Sequence, residues 1–180
     1  MRVIAGTARG VPLVAPRGHG TRPITDRVKE TLFGILGDRV PDARVVDLYA
    51  GSGAIGIEAL SRGASSVDLV EQDRGALAVI RTNLARTHLE ADARVHGGTV
   101  EHYLKSTSDG PWDLALLDPP YELRAMVAPL RALVPHLAPD ASVVIKHFWR
   151  TELPGIERLT VNRQRRFGET MLTFLAMEDA

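Results

Sequence analysis

The chain contains no cysteine, which removes disulfides, thiolate metal sites and every mechanism that needs a cysteine nucleophile. No apolar run approaches the roughly 20 residues that a membrane-spanning helix requires. The opening Met1-Arg2-Val3-Ile4-Ala5-Gly6 lacks the apolar stretch of a secretory signal, so a cytoplasmic protein with no membrane partner is expected. Internal repeats and low-complexity tracts are missing too. Net charge is +0, which by itself gives no reason to expect a polyanionic partner. What is present is ordinary: 180 residues, 44% hydrophobic and 24% charged, enough for one domain with a six- or seven-stranded core.

The balanced charge hides an uneven distribution. Residues 1–31 carry six basic and two acidic side chains, residues 146–166 again six and two, and residues 32–145 ten and fifteen. If the two basic stretches, from Arg2 to Lys29 and from Lys146 to Arg166, fold to one side, they form a positive face for a polyanion. The plain alternative is a set of scattered, solvated arginines.

Two short apolar pieces, Val3-Ile4-Ala5 and Val11-Pro12-Leu13-Val14, flank a Gly-rich turn and predict a small hairpin. A loop follows from Pro16 to Pro23. Thr25 then stands as an N-cap for a helix whose apolar positions Val28, Leu32, Ile35 and Leu36 recur at helical spacing up to Gly37. Residues 1–40 therefore read as an extension of hairpin plus helix, and residues 41–180 as the main domain. There the pattern becomes strand then helix: 43–48 and 54–62, 67–71 and 74–86, 93–97 and 100–105, 113–118 and 124–137. Further strands are expected at 142–146, 157–161 and 170–176. Such alternation predicts an α/β fold, Rossmann-like and doubly wound, with a mostly parallel seven-stranded sheet ending in an antiparallel hairpin.

The first strand runs into Asp47-Leu48-Tyr49-Ala50-Gly51-Ser52-Gly53-Ala54-Ile55-Gly56, a G-x-G-x-x-G spacing between strand and helix. Glycine lets the backbone approach a ligand closely, and the helix N-terminus behind it offers free N–H groups. Glu71 lies 20 residues beyond Gly51 at the end of the second strand, where a carboxylate can accept bonds from ribose hydroxyls. A nicotinamide dinucleotide and S-adenosylmethionine both meet these requirements. Asp47, at the strand end before the glycines, favours the second, because a carboxylate there opposes a pyrophosphate but suits the ammonium of a methionine moiety. Asp47 could otherwise simply cap the loop.

The fourth strand runs into Asp118-Pro119-Pro120-Tyr121, which the fold places in the same crevice. Two prolines stiffen the loop and leave carbonyls free of competing N–H groups. An exocyclic amine on a base is a poor nucleophile, so a site that methylates it must orient the amine and accept its protons. Asp118 and the Pro119 carbonyl supply two acceptors, and Tyr121 supplies a face for stacking. No metal is needed. The lack of cysteine argues the same way, since methylation of pyrimidine carbon 5 usually passes through a cysteine adduct. A rigid turn closing the strand is the simpler alternative.

With both motifs present, the sequence resembles class I S-adenosylmethionine-dependent methyltransferases that act on amines. More narrowly, it resembles the bacterial family that methylates N2 of one guanine in 16S ribosomal RNA. The narrower resemblance is carried by Arg2 to Gly6, Thr21-Arg22-Pro23-Ile24-Thr25-Asp26-Arg27-Val28-Lys29-Glu30-Thr31-Leu32-Phe33, the loop from Asp47 to Gly56, Leu117 to Tyr121, and Arg166-Phe167-Gly168. It implies a cofactor site of Asp47, Gly51, Gly53 and Glu71, and Ala50, Gln72 and Thr99 are taken as further candidates beside them. It also implies a base site of Asp118, Pro119, Pro120 and Tyr121, with Arg22, Thr25 and Arg27 folded over the crevice. Two departures are visible: Gly97-Gly98-Thr99 stands where many relatives have an acidic residue toward the adenine, and Phe167 stands where tyrosine is frequent.

Arg163, Arg165 and Arg166 alternate with polar residues in an expected hairpin loop and are read as RNA phosphate contacts. Trp112 and Trp149 are read as packing rather than base stacking, and the six histidines show no pair at the i, i+4 spacing of a helical metal site. The expectation is a monomeric enzyme that uses S-adenosylmethionine to methylate guanine N2 in 16S rRNA, within the assembled small ribosomal subunit. A DNA adenine-N6 methyltransferase shares the Asp-Pro-Pro-Tyr logic but would need a target-recognition insertion. A nicotinamide-dependent reductase would need a substrate domain, and an inactive RNA-binding factor would not need the glycine loop and Asp118 intact.

Overall fold

The computed structural model describes residues 1–16, 24–119 and 124–178, and shows a seven-stranded sheet with helices on both faces. In chain order the elements are α1 (Asp26–Leu36), β1 (Arg44–Leu48), α2 (Ala54–Ser61), β2 (Ser66–Glu71), α3 (Arg74–Thr87), β3 (Ala93–Gly97), α4 (Val100–Ser106), β4 (Trp112–Leu117), α5 (Arg124–Leu133), β5 (Leu137–Phe148), β6 (Leu159–Phe167) and β7 (Thr170–Met177). The strand order is β3-β2-β1-β4-β5-β7-β6, with β1 to β5 parallel and β7 antiparallel to both its neighbours. The sheet therefore reverses its winding between β1 and β4. That switch point opens the crevice in which such sheets bind ligands.

Side-chain parity divides the core in two. Val45, Val67, Leu69, Leu114, Leu116, Val144, Leu172 and Phe174 pack on one face with α1, α2, α3 and the N-terminal segment. Val46, Val70, Ala115, Leu117, Val143, Ile145 and Leu175 pack on the other with α4 and α5. Strands covered on both faces read as near-continuous apolar runs, which is why Val45-Val46 and Leu114 to Leu117 stand out in the sequence.

The first 16 residues form the expected hairpin-like turn, with Val3 N–H donating to Val11 O at 3.0 Å and Gly10 N–H to Val3 O at 2.9 Å. This turn is latched onto α2. Glu58, fully buried, accepts from Ile4 N–H at 2.8 Å and Ala5 N–H at 3.0 Å, and pairs with the buried Lys29 ammonium of α1 at 3.1 Å. Ser61 accepts from Ala8 N–H at 3.0 Å and donates to Ala5 O at 2.6 Å. Farther along, Asn83 of α3 accepts from Val14 N–H and donates to both Val14 O and Ser52 O, tying the segment to the glycine loop.

Three expectations shift. The helix expected over 124–137 ends at Leu133 and tightens into a 3-10 turn at Val134–His136, since Pro135 disfavours helix in the residue before it. The strand expected at 142–146 extends over Leu137–Phe148, because a register shift against β4 lets Leu137 pair with Trp112. Arg163, Arg165 and Arg166 lie not in a hairpin loop but in the edge strand β6; the turn falls at Gly168 (φ 59°) and Glu169. A charged edge of this kind also resists pairing with another sheet.

Candidate active site

The loop after β1 takes its shape from two left-handed positions, Gly51 (φ 56°) and Gly53 (φ 74°), the latter capping α2. A Cβ added at Gly51 would meet almost nothing, so this glycine leaves open space on the crevice side. Gly56 has a different duty: its Cβ would lie 2.8 Å from Leu69 Cδ2 and 2.9 Å from Val67 Cγ1. Only glycine lets α2 sit this close to β2.

Glu71 at the end of β2 reaches across to the loop, where Oε2 accepts from Gly51 N–H and Oε1 from Asp73 N–H, each at 2.8 Å. The carboxylate is thereby held at the glycine turn with lone pairs to spare. Gln72 is exposed beside it, and Ala50 is buried, donating to Val70 O at 3.0 Å. Thr99 caps α4 by accepting from His102 N–H at 3.2 Å, so its hydroxyl already serves the helix.

Asp47 is buried to 1% exposure beneath this loop. Its Oδ2 accepts from Gly56 N–H at 2.9 Å, while Oδ1 has no hydrogen-bond partner among the described residues. Burial pushes its pKa up to about 7; the Gly56 bond opposes that rise, and the negative charges of Asp118 and Glu71 add to it. An orphaned, buried carboxylate oxygen under a glycine cradle fits a ligand that brings a cationic or donor group. A methionine-type ammonium meets that demand, with Glu71 placed for hydroxyls, so the residues present fit S-adenosylmethionine.

Asp118 follows the last residue of β4, its N–H donating to Leu48 O at 3.4 Å, and stands across the switch point from the glycine loop. Both its oxygens accept from Lys146 Nζ, at 2.7 and 2.8 Å. Burial raises the Asp118 pKa above the ordinary carboxylate range, and the Lys146 ammonium pulls it back. Pro119 is buried; Pro120 and Tyr121 lie outside the described residues.

Lys146 is the side chain at this site that sequence reasoning missed, having counted it among surface cations. It is 7% exposed and sits in β5 beside Asp118. The signal was available: Ser142-Val143-Val144-Ile145 is a buried strand that ends on a charge, one strand over from Leu114 to Asp118. Lys29 is likewise buried on Glu58, and Arg2 pairs with Asp26 at 3.4 Å, so the basic N-terminal stretch offers a smaller free positive surface than its count implies.

Of the proposed RNA contacts, Thr25 caps α1 by accepting from Val28 N–H at 3.3 Å, Arg27 is exposed on that helix, and Arg22 lies outside the described residues. Arg163, Arg165 and Arg166 are exposed along β6. The guanidinium of Arg166 lies 3.6 Å and that of Arg150 4.8 Å from the ring centroid of the half-buried Trp149. Trp112 is fully buried and donates to Asp68 at 2.9 Å, as packing requires. Asp68, His96 and Asp109 are close enough to share a metal ion, but Arg94 already bonds Asp68 at 3.0 Å and Asp109 at 3.2 Å and occupies both carboxylates.

Similarity to known proteins agrees with this arrangement. The Bacillus subtilis protein YlbH is 35% identical over 175 residues, covering 94% of this chain and 95% of its own. Ribosomal RNA small subunit methyltransferase D of Escherichia coli K12 is 35% identical over 158 residues, covering 87% of this chain and 79% of its own. Among solved structures, the Escherichia coli protein yhhF superposes with a TM-score of 0.89 at 32% identity, covering 99% of this chain and 98% of that one. The fold is that of the class I methyltransferases. The family model described as Conserved hypothetical protein 95 matches residues 1–176, and the chain belongs to that family.

Proposed function

We propose that the protein transfers a methyl group from S-adenosylmethionine to the exocyclic N2 of a guanine in 16S ribosomal RNA. The observation that carries this reading is the pairing of two half-sites across one switch point: the glycine cradle over the orphaned Asp47 oxygen, and the Asp118-Pro119 acceptors at the end of the adjacent strand. The relatives named as small-subunit ribosomal RNA methyltransferases support an RNA substrate and do not favour the DNA adenine alternative.

Asp47, Ala50, Gly51, Gly53 and Glu71 would hold the cofactor, which supplies an electrophilic methyl on a sulfonium. Gln72 and Thr99 would lie beside the cofactor in this reading. The chain's own residues then do the positioning. Asp118 and the Pro119 carbonyl accept the two N–H bonds of the target amine, which fixes its plane and directs its lone pair toward the donor. As the nitrogen becomes cationic, the Asp118 charge stabilises it and the proton leaves along the same hydrogen bond. Pro120 and Tyr121 complete the base site in this reading. Thr25 and Arg27 at the start of α1, Arg163, Arg165 and Arg166 on β6, and Arg22 contact RNA phosphates in this reading.

So small an RNA-reading surface favours a substrate preformed by ribosomal proteins, the assembled subunit, bound by a monomer. The test is transfer of labelled methyl to unmodified small subunits, naked 16S RNA and duplex DNA. Strong labelling of subunits supports the reading. Labelling of DNA in preference to either RNA form overturns it, and equal rates on naked RNA and subunits remove the preformed-surface part alone.

A further inference from the structure

Asp118 has an unusual neighbour for a group that must receive an incoming amine. The register of β4 and β5, with Leu117 opposite Ile145, sets positions 118 and 146 side by side, and parity puts Lys146 on the face of Val144, Leu116 and Asp118. Lys146 is 7% exposed, and its ammonium lies 2.7 and 2.8 Å from the two carboxylate oxygens. A lysine buried to this degree has given up its hydration for one partner, so the contact is fixed rather than one of many solvated poses.

We propose that Lys146 is a positioning residue for Asp118: from the neighbouring strand its ammonium grips both carboxylate oxygens and holds them as a fixed, ionised pair of acceptors at the target-amine site. The inference rests on the reading of Asp118 as the acceptor of that amine. A carboxylate has about four lone-pair positions, so two bonds from Lys146 leave acceptor capacity for the substrate. The charges around Asp118 show why a cation is required. Asp47 of β1 and Glu71 of β2 lie on the same face and are both acidic, and Lys146 supplies the neighbouring positive charge from β5. Beyond Lys146 the row continues through the apolar Leu172 of β7 to the exposed Arg165 of β6. Without Lys146, three carboxylates share one corner and Asp118 takes up a proton more readily. A protonated Asp118 must spend one oxygen as a donor and loses the geometry that orients the amine.

The test compares Lys146→Met, Lys146→Gln and Lys146→Arg with the parent protein. In methyl transfer to small subunits, Lys146→Met and Lys146→Gln should lower kcat at pH 7 by roughly 10- to 100-fold and move the rising acidic limb of the pH–rate profile to higher pH. Lys146→Arg should keep that limb in place. Carbon-13 NMR of aspartate carboxyls in the cofactor-free protein, with the Asp118 signal identified by its loss in Asp118→Asn, should show the Asp118 midpoint rising in Lys146→Met and Lys146→Gln. An unchanged pH–rate profile and an unchanged Asp118 midpoint in those variants overturn the proposal while leaving the base site standing. Full activity in Asp118→Asn instead overturns the base site, and the role of Lys146 with it.

Discussion

Asp47 carries a cost that ligand binding can relieve. Its pKa in the folded chain, about 7, lies above the ordinary 3.8, so the folded state binds the proton more tightly than the unfolded state does. Stability is therefore highest below the unfolded value and falls as pH rises from about 4 to about 7, the reverse of a salt-bridged aspartate. Asp47→Asn should flatten that fall in denaturant titrations run across this range and weaken cofactor affinity. A parallel pH dependence in the variant would contradict the assignment. Because a cationic group beside Asp47 favours its ionised form, binding of S-adenosylmethionine near pH 6.5 should release protons, seen by calorimetry in buffers of different ionisation enthalpy. Glu58 acts only structurally. Glu58→Ala leaves the buried Lys29 ammonium with the Arg2 carbonyl but no counter-charge and should cost about 3 kcal/mol, read as a lower Tm, because breaking a buried pair strands a charge.

At the scale of elements, α2 is held from both sides: Gly56 lets it approach β2, and Glu58 and Ser61 clasp the N-terminal turn. Gly56→Ala should destabilise by roughly 1–3 kcal/mol through overpacking against Leu69 and Val67. Gly6→Ala should instead release the N-terminal turn, since its Cβ would run into Ser61 O; faster hydrogen exchange confined to residues 1–16 and α2 is the expected result. On β6, replacing Arg163, Arg165 and Arg166 with glutamine should leave the Tm within about a degree and reduce RNA affinity, with a shallower salt dependence by about 0.7 per lost phosphate contact. An unchanged salt slope would remove these arginines from the RNA surface.

Most of these elements were legible because a doubly covered parallel strand and its following helix each leave a strong apolar period, as at Val45-Val46 or along α3. The glycine loop and Asp118 were legible because turn chemistry and strand ends mark themselves locally. What the sequence hid is long-range or ambiguous in sign. Whether Lys146 faces solvent or Asp118, 28 residues away, depends on how two strands align, and Lys29 meets Glu58 only once α1 and α2 are brought together by the fold. The β6 arginines looked like a loop because an edge strand with polar residues on both faces has no apolar alternation to show.

For the molecule as a whole, the parallel strands of the sheet deliver Asp47, Glu71 and Asp118 to one end, and β5 brings Lys146 to the same end. The antiparallel β7–β6 hairpin returns to that end at Phe167 and Thr170, opposite Phe148 and next to Trp149. The glycine loop over Asp47, the Asp118–Lys146 pair and part of the arginine row thus belong to one rim, the arrangement that the proposed methyl transfer needs if RNA is to be held while one base enters a crevice. The opposite end of the sheet carries the Asp68, Arg94 and Asp109 cluster, in which one guanidinium bridges the two carboxylates.

The most direct test of this account is nucleoside mass spectrometry of small subunits that lack the modification, incubated with S-adenosylmethionine and either the parent protein or Asp118→Asn. The account predicts N2-methylguanosine with the parent and a loss of about 100-fold or more with Asp118→Asn, while calorimetry shows that the variant still binds cofactor. Methylation at another atom or base, or undiminished product from Asp118→Asn, would contradict it.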